Sequence, residues 1–378
     1  MDNEIWTIIG GGNGGQTFAG HMALLGKRVR IYTKSKEKVD VLNRTCKIEL
    51  SHDVEGIGTI EFATNDMAKA MEGATHIVMI LPSNWHEMTT RAMIPYLKDG
   101  QFVLILPEAS CGAIAFRKLL KECGCKANIV VGAGCTLPYA TRAKEIGKCY
   151  VVGLKYETKI AALPACDNEK LIKAFSAFPY FVPAKSVVET SIDNINLMVH
   201  PTPVLLNIAR FEAVPAQNYQ YYVEGFTPSI CNYLERIDCE RISIAKVFGI
   251  SQRTMKQELI ELYHSGDESM TLCEVVHNCH GYQGIMNPKS LNERYTMEDI
   301  PYSLVSVQSL GKIAGIPTPY IDAIITLGRG TIGEGLDEGR TTDYLGINNM
   351  TKEEFLKYVM GGGKFSIARL INTLLCAA

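Results

Sequence analysis

The sequence predicts an α/β fold class, with a Rossmann-type doubly wound parallel sheet over residues 1–188 and an all-α second domain over residues 189–378. Apolar, strand-like runs alternate with helical patterns through the first domain, which is typical of a parallel sheet covered by helices. After residue 190 no strand-like run is convincing, and apolar residues recur at helical spacing. A chain of 378 residues is long enough for two domains with cores of their own.

The first predicted strand, at residues 5–9, is apolar and β-branched and leads into a glycine turn. Gly10, Gly12 and Gly15 have the spacing G-x-G-x-x-G, and a helical pattern follows them. In this context the glycines allow a tight turn and a close approach to a pyrophosphate, and the helix start attracts the anion. A flexible loop is the alternative, but the flanking strand and helix favour a dinucleotide. The predicted contacts are Gly10, Gly12, Asn13, Gly14 and Gly15.

The end of the second predicted strand, at residues 28–32, bears on the choice of cofactor. An NAD site places an acid about 20 residues after the glycines, where it binds the ribose hydroxyls. Here residues 32–36 read YTKSK and contain no acid. Hydroxyls and lysines suit a 2′-phosphate better, although they also fit a solvated loop. NADP(H) is therefore favoured over NAD(H), with contacts from Thr33, Lys34 and Lys36.

Later strands end in loops that we predict to border the ligands, because parallel sheets bind ligands at the carboxyl ends of their strands. The strand-like run at 76–81 ends in Leu81, Pro82 and Ser83, and we assign these three residues to the cofactor.

Three further residues near strand ends are candidates for substrate binding. Glu108 and Thr136 follow the runs at 102–107 and 128–132, and Arg142 comes shortly after. Glu108 also fits a helix cap and Arg142 a surface charge, so both alternatives stay open.

The remaining elements complete the predicted fold. Residues 46–63 form short strands in an insertion, whereas residues 150–153 and 160–162 extend the sheet. A capping box at Thr351 and Glu354 starts a late helix. The other helices of the second domain are predicted at 191–213, 229–248, 251–264, 270–280, 302–314 and 319–328.

Two polar residues of the second domain lie in apolar helical segments. His200 is followed by Pro201 and Pro203, and Asp322 is an acid on a short apolar helix. Lone groups of this kind are usually satisfied in the core, and a buried carboxylate needs a partner. The two residues could satisfy each other, although more than a hundred residues separate them.

Several blocks of the second domain resemble the opine dehydrogenases, the family of octopine/nopaline and N-(carboxyalkyl)amino-acid dehydrogenases. Together with the glycine turn, the resemblance covers nearly the whole chain, and the pattern is more similar to the bacterial branch. The matching blocks are residues 200–207, 222–229, 237–241, 294–302 and 315–322.

This resemblance implies a reaction and a pair of catalytic residues. The reaction is the reductive condensation of an amino acid with a 2-oxo acid such as pyruvate, through an imine, with NADH or NADPH. His200 would be the acid/base, and Asp322 would hydrogen-bond to its imidazole and hold one tautomer. The alternatives are another two-domain dehydrogenase, acting on a hydroxy acid or polyol phosphate, and a dinucleotide-binding protein without catalysis.

A metal site is the remaining candidate for chemistry. Cys273, His277 and His280 share one helical face, with Cys279 beside them, and such a group could bind zinc. A helix that lines the cleft between the domains explains the same residues. The family resemblance implies no metal, and we predict none.

The composition of the chain indicates which classes of binding partner to expect. A net charge of −2 without basic runs argues against nucleic acid, and no apolar segment is long enough to span a membrane. The acidic start does not resemble a signal peptide, so the twelve cysteines are predicted to be reduced in a cytoplasmic enzyme. The apolar faces of the helical domain are compatible with a homodimer.

Overall fold

The computed structural model describes residues 4–213, 217–336 and 339–362. Its strands form two sheets, and within the described residues every strand precedes residue 184. The strands are β1 Ile5–Ile9, β2 Arg28–Tyr32, β3 Lys47–His52, β4 Gly56–Thr59, β5 Phe62–Thr64, β6 His76–Met79, β7 Phe102–Ile105, β8 Val130–Gly134, β9 Tyr139–Glu145, β10 Lys148–Leu154, β11 Thr158–Leu163 and β12 Phe181–Pro183.

The larger sheet has eight strands in the order β12-β11-β8-β7-β6-β1-β2-β5. Neighbouring strands are parallel throughout, except that β11 runs antiparallel to β8. In the centre of this sheet Ile8 of β1 lies opposite Ile31 of β2 and Val78 of β6, and all three are fully buried. Burial on both faces explains the continuous apolar runs of these strands. The predicted α/β class and the predominantly parallel sheet are confirmed.

The smaller sheet has four strands in the order β4-β3-β10-β9. The prediction that residues 150–153 extend the main sheet is wrong, because β10 pairs with β3 and β9 instead. Only two residues separate β9 from β10, so the two strands must form an antiparallel hairpin. Residues 160–162 do extend the main sheet, as part of β11, and the predicted insertion supplies β3 and β4.

The first half of the chain also contains helices α1 to α6. They are α1 Asn13–Leu24, α2 Lys36–Thr45, α3 Met67–Met71, α4 His86–Met93, α5 Gly112–Glu122 and α6 Asn168–Ala174. The smaller sheet packs closely on α1, since a Cβ atom added to Gly58 of β4 would lie 2.2 Å from the carbonyl oxygen of Gly20.

The second half is helical over its described residues. Its helices are α7 Val187–Ile192, α8 Asn196–Val199, α9 Pro201–Leu206, α10 Ile208–Phe211, α11 Tyr221–Glu224, α12 Pro228–Val247, α13 Met255–Tyr263, α14 Leu272–Asn278, α15 Arg294–Met297, α16 Val305–Ala314, α17 Pro319–Ile332, α18 Thr342–Leu345 and α19 Lys352–Met360. A π-helical turn at Ile300–Leu304 precedes α16. None of the described helices is both long and apolar enough to cross a membrane.

The helical predictions hold for the longer segments and fail around the prolines. The single helix predicted at 191–213 is divided into α8, α9 and α10, with α7 ending at its start. Pro201 and Pro203 lack the N–H that would continue a helix, which accounts for the break between α8 and α9. The capping box is confirmed, since the Thr351 hydroxyl accepts from Glu354 N and the Glu354 carboxylate accepts from Thr351 N. The boundary near residue 188 stays a prediction.

Candidate active site

The glycine turn has the close contacts that the motif predicts. Gly10 has φ +128°, and a Cβ atom there would lie 2.1 Å from the carbonyl oxygen of Ile80. At Gly15 a Cβ atom would lie 1.9 Å from the carbonyl oxygen of Gly10, so strand and helix meet without room for a side chain. Gly12 has open space within 4 Å of its added Cβ position. This combination of two closed positions and one open one fits a dinucleotide pyrophosphate.

The start of α1 is left available for an anion. Gly12 is the N-cap residue and provides no side-chain cap, so the first N–H groups of this helix need another acceptor. The side chain of Asn13 is turned towards β9, where its Oδ1 accepts from Ala143 N at 3.3 Å. Gly14 faces Leu137, which a Cβ atom would approach to 2.6 Å.

An open cavity of about 340 Å³ extends from the glycine turn along the carboxyl edge of β1, β2 and β6. Of the predicted cofactor residues, Gly10, Gly12, Thr33, Lys34, Leu81 and Pro82 line it. The full lining consists of Gly10, Gly11, Gly12, Tyr32, Thr33, Lys34, Ser35, Lys38, Leu81, Pro82, Trp85 and Thr89.

Two lysines and a tryptophan make one part of the cavity lining cationic and aromatic. Lys34 Nζ lies 5.3 Å from the centre of the Trp85 ring, and Lys38 is the second cation of the lining. Lys36, one of the predicted cofactor contacts, is exposed and pairs with Asp40 at 2.7 Å. The lining contains two cations and no carboxylate, an environment that suits a phosphate.

A histidine–aspartate pair lies in the helical half. His200 Nδ1 and Asp299 Oδ2 are 2.7 Å apart, and both residues are buried. The imidazole stacks on Tyr295 with ring centres 3.9 Å apart and an angle of 3°. Asp299 Oδ1 also accepts from Ser303 Oγ at 3.3 Å, and Tyr221 OH donates to the carbonyl of His200 at 2.6 Å. These contacts hold the imidazole and the carboxylate in one relative orientation.

The predicted contact between His200 and Asp322 is wrong, because the carboxylate beside His200 is that of Asp299. Asp322 lies in the first turn of α17, and its Oδ1 accepts from Gln308 Nε2 at 2.7 Å and from Thr318 Oγ1 at 2.9 Å. Both partners bind Oδ1, so Asp322 is held by its own surroundings and not by His200. Asp299 was missed, although it lies within the block 294–302 that carries the family resemblance.

Two of the three substrate candidates lie near groups of the second half. Burial raises the pKa of Tyr295, against smaller opposite effects of Tyr222, Arg294 and Arg142, and Arg142 is exposed on β9. The charge of Arg142 therefore acts on the ring on which His200 stacks. Thr136 Oγ1 accepts from Lys155 Nζ at 2.9 Å. Burial lowers the pKa of Lys155, but nearby Tyr263, Cys135 and Glu258 outweigh it, so this lysine stays an ammonium.

Glu108 is in a different environment. It is fully buried, and its carboxylate accepts from Thr190 Oγ1 at 2.6 Å, Ser191 Oγ at 3.1 Å and Ala113 N at 3.1 Å. Burial raises its pKa despite these hydrogen bonds. The contact to Ala113 caps α5, which is the alternative that the sequence left open, and the enclosed carboxylate presents no face to a substrate here.

A buried histidine and a buried arginine support the loop that follows β6. His86 Nε2 lies 3.0 Å from the carbonyl oxygen of Leu81 and therefore donates, which leaves Nδ1 to accept from Arg340 Nη2 at 3.1 Å. Arg340 also donates to the carbonyls of Glu108 and Ser110. Burial, and then the charge of Arg340, lower the pKa of His86 to about 3, so the ring is neutral.

The cysteine–histidine group does not assemble as a metal site would. His277 Nε2 and Cys273 Sγ both contact the carbonyl oxygen of Phe226, at 2.8 and 3.3 Å, and His280 is exposed. Among the residues that the structure describes, no group of three or more His, Cys, Asp or Glu side chains could hold a metal ion.

Comparisons with known proteins place this site in a family. Residues 183–331 match the family model described as NAD/NADP octopine/nopaline dehydrogenase, alpha-helical domain, and residues 6–110 match the NAD-dependent glycerol-3-phosphate dehydrogenase N-terminus. An opine dehydrogenase from Arthrobacter sp. (strain 1C) is 32% identical over 354 residues, which cover 93% of this chain and 97% of that protein. The chain belongs to the opine dehydrogenase family.

More distant opine dehydrogenases agree with this assignment. The octopine dehydrogenase of Mizuhopecten yessoensis is 23% identical, over 86% of this chain and 90% of that protein. The structure of octopine dehydrogenase with NADH and L-arginine has a TM-score of 0.79 at 21% identity, covering 96% of this chain and 99% of that one. Yersinopine dehydrogenase with NADP⁺ has a TM-score of 0.73 at 15% identity, covering 92% and 98%.

The predicted resemblance is thus confirmed, and the activity follows from the opine dehydrogenase family. The enzyme is an NAD(P)-dependent oxidoreductase that acts on CH–NH bonds. It joins an amino acid to a 2-oxo acid by reductive condensation.

Proposed function

We propose that His200 and Asp299 perform the acid–base steps of this condensation, with pyruvate as the oxo acid. The 2.7 Å hydrogen bond between His200 Nδ1 and Asp299 Oδ2 is the observation that carries the proposal. A structure of octopine dehydrogenase with NADH and pyruvate supports the choice of oxo acid by analogy. In this proposal residues 1–188 form the domain that binds the dinucleotide. Residues 189–378 form the domain that contains His200 and Asp299, which we call the dyad.

The hydrogen bond determines which nitrogen of His200 does the chemistry. An ionised Asp299 can only accept, so Nδ1 carries the proton and Nε2 of the neutral ring has a free lone pair. Nε2 forms no hydrogen bond with the described residues, which leaves it open to a substrate. Asp299 then stabilises the imidazolium that forms when Nε2 takes up a proton.

This arrangement fits the proton traffic of imine formation. His200 Nε2 accepts a proton from the amino acid's ammonium group, and the neutral amine attacks the carbonyl carbon of the oxo acid. The imidazolium then protonates the departing hydroxyl, so that water leaves and the imine forms. Bound NAD(P)H supplies the hydride that reduces the imine. Tyr295, stacked on the ring, keeps Nε2 aimed at one point throughout.

We assign the carboxylates of the two substrates to cations at the edge of the sheets. The charge of Arg142 acts on Tyr295, and its guanidinium can bind a carboxylate through two parallel hydrogen bonds. Lys155 is held by the hydroxyl of Thr136 and stays charged, so that it can bind a second carboxylate.

NADP(H) is the cofactor that we propose. Lys34 and Lys38 line the cavity beside Ser35 and Thr33, where an enzyme specific for NAD would place an acid. The relatives bind either form, since octopine dehydrogenase has been solved with NADH and yersinopine dehydrogenase with NADP⁺.

A substrate-dependence assay tests the reaction. Oxidation of NADPH, followed at the nicotinamide absorbance, should require pyruvate and an amino acid together. A hydroxy-acid dehydrogenase would oxidise NADPH with the oxo acid alone, and a binding protein would show no turnover with any substrate pair. Either result would contradict the proposal.

Cellular location and assembly complete the proposal. We propose a cytoplasmic homodimer, supported by the eleven described cysteines, which are all free thiols, and by exposed apolar residues on the helical half such as Leu262 and Met286. Light scattering of the purified protein tests the dimer.

A further inference from the structure

We propose that Glu298 is a positioning residue that connects the dinucleotide loop to the acid–base dyad. It lies next to Asp299 in the sequence, and its side chain reaches back to Ser83 in the first half of the chain. Glu298 Oε1 accepts from both Ser83 N, at 2.9 Å, and Ser83 Oγ, at 3.0 Å. The inference rests on the proposed role of His200 and Asp299.

The contact is buried and specific. Ser83 is 3% exposed and Glu298 is 7% exposed. A carboxylate in such a place is costly unless its oxygens are satisfied, and here both are. Oε1 receives the two donors of Ser83, and Oε2 accepts from Arg294 Nε at 2.8 Å. The network leaves no freedom for either oxygen, and Glu298 therefore has one orientation.

The Ser83 end of this contact belongs to the cofactor cavity. Ser83 starts the 3₁₀ turn Ser83–Trp85 directly after Leu81 and Pro82. Leu81, Pro82 and Trp85 all line the cavity. Ser83 is not part of this lining, and its hydroxyl donates to Glu298 instead. Glu298 thus holds this loop through a buried residue that does not line the cavity.

The other end belongs to the dyad. Asp299 follows Glu298 by a single peptide bond and hydrogen-bonds to His200. The backbone between them is held by helical hydrogen bonds, from Glu298 N to Arg294 O at 3.0 Å and from Tyr302 N to Glu298 O at 3.0 Å. Two neighbouring carboxylates on one rigid segment therefore set the positions of both the cofactor loop and the imidazole.

This geometry predicts a particular division of effects. Without Glu298 the loop must be ordered when the dinucleotide binds, which lowers affinity. His200 keeps Asp299, so the pH dependence of kcat is unchanged. Asp299→Asn has the opposite effects, since it changes the pH dependence of kcat and leaves dinucleotide affinity nearly unaffected.

Equilibrium titration with NADPH, and separately with NADH, tests the proposal without any substrate. Glu298→Ala should weaken binding about tenfold, because a hydrogen bond to a charged group is lost. Glu298→Gln should recover much of this loss, since its amide oxygen can still accept from Ser83. Glu293→Ala is the matched control on the same short segment, where an exposed glutamate has no contact with Ser83.

A double-variant cycle gives the decisive result. Ser83→Ala removes the hydroxyl donor alone and should weaken NADPH binding moderately, but in the Glu298→Ala background it should have no further effect. Unchanged affinity in Glu298→Ala, or losses that simply add in the double variant, would overturn the proposal. If Glu298→Ala does not fold, Ser83→Ala and Glu298→Gln decide, since both preserve the packing. Failure of the His200 assignment leaves these binding measurements untouched.

Discussion

The dinucleotide cavity and the dyad differ in how their polar groups are held. In the cavity, Lys34 is exposed and Lys38 is half-buried, and the backbone of Gly12 borders open space. Around the dyad, Asp299 is buried and has hydrogen-bond partners on both carboxylate oxygens. Charges in the first region are screened by water and salt, whereas those in the second interact at low dielectric. The same substitution should therefore have a small effect at the cavity and a large one at the dyad.

The largest effect is expected at His200. His200→Ala should lower turnover about 10²–10⁴-fold in both directions, because condensation and opine oxidation each need an acid or base at the same nitrogen. Dinucleotide affinity should be almost unchanged, since His200 does not line the cavity. Steady-state kinetics and NADPH titration measure the two quantities. Turnover at the parent level would remove the dyad from the mechanism.

The two aspartates provide the next test. Asp299→Asn puts an amide opposite Nδ1, favours the wrong tautomer of His200 and should lower kcat by about 10²-fold or more. Asp322→Asn affects hydrogen bonds with Gln308 and Thr318 only, so kcat should stay near that of the parent, with a stability loss on the order of 1 kcal/mol. The opposite ranking of the two variants in kcat would restore Asp322 as the partner of His200.

His86 is a buried group next to the cavity, where it donates to the carbonyl of the lining residue Leu81. Burial and Arg340 lower its pKa from 6.5 to about 3, so the unfolded chain binds a proton between these values that the folded protein does not. The free energy of unfolding should therefore fall as the pH is lowered from 6.5, by about 2 kcal/mol at pH 5 from this group alone. Urea denaturation at pH 7 and pH 5 measures the difference.

Two histidine variants isolate that contribution. His86→Gln keeps a donor for the Leu81 carbonyl but cannot be protonated, so it should be less stable at pH 7 and less sensitive to acid. His280→Gln, at an exposed position, should retain the parent's dependence on pH. An identical loss of stability between pH 7 and pH 5 in the parent and in His86→Gln would contradict the assigned shift.

The smallest effect is expected at the cavity lysines. Replacing Lys34 and Lys38 by Ala should raise the Kd for NADPH about tenfold or more and barely change that for NADH, because only NADPH carries the 2′-phosphate. The difference should shrink in high salt. Lys36→Ala is the control, since Lys36 pairs with Asp40 outside the cavity. Equal affinities of the parent for NADH and NADPH would end the argument for NADP(H).

The elements that the sequence predicted well are those whose cause is local. The glycine turn needs only its flanking strand and helix, and the capping box at Thr351 needs only Glu354. Of the two predicted lysines, Lys34 lines the cavity and Lys36 does not. The reason is geometric, because α2 starts at Lys36 and residues two apart on a helix point to opposite sides. Lys38 therefore faces the cavity and Lys36 faces water.

The partner of His200 could not be predicted in the same way. Asp322 lies in an apolar helical segment, whereas Asp299 follows Glu298 in a segment of mixed polarity, so the sequence pattern alone pointed to Asp322. The difference arises in the fold, where Thr318 and Gln308 satisfy Asp322 and leave Asp299 for the imidazole. The tie from Glu298 to Ser83 spans 215 residues and had no signal in the sequence pattern.

Arg340 has a consequence for the order in which the chain becomes structured. Its guanidinium satisfies the carbonyls of Glu108 and Ser110 and the ring of His86, all in the first half of the chain. Buried acceptors left without donors each cost roughly 1–3 kcal/mol, a large part of the stability of a typical domain. During synthesis, the dinucleotide domain therefore waits for almost the whole helical half to emerge before its last hydrogen bonds can close. A fragment that ends at residue 188 should be correspondingly fragile.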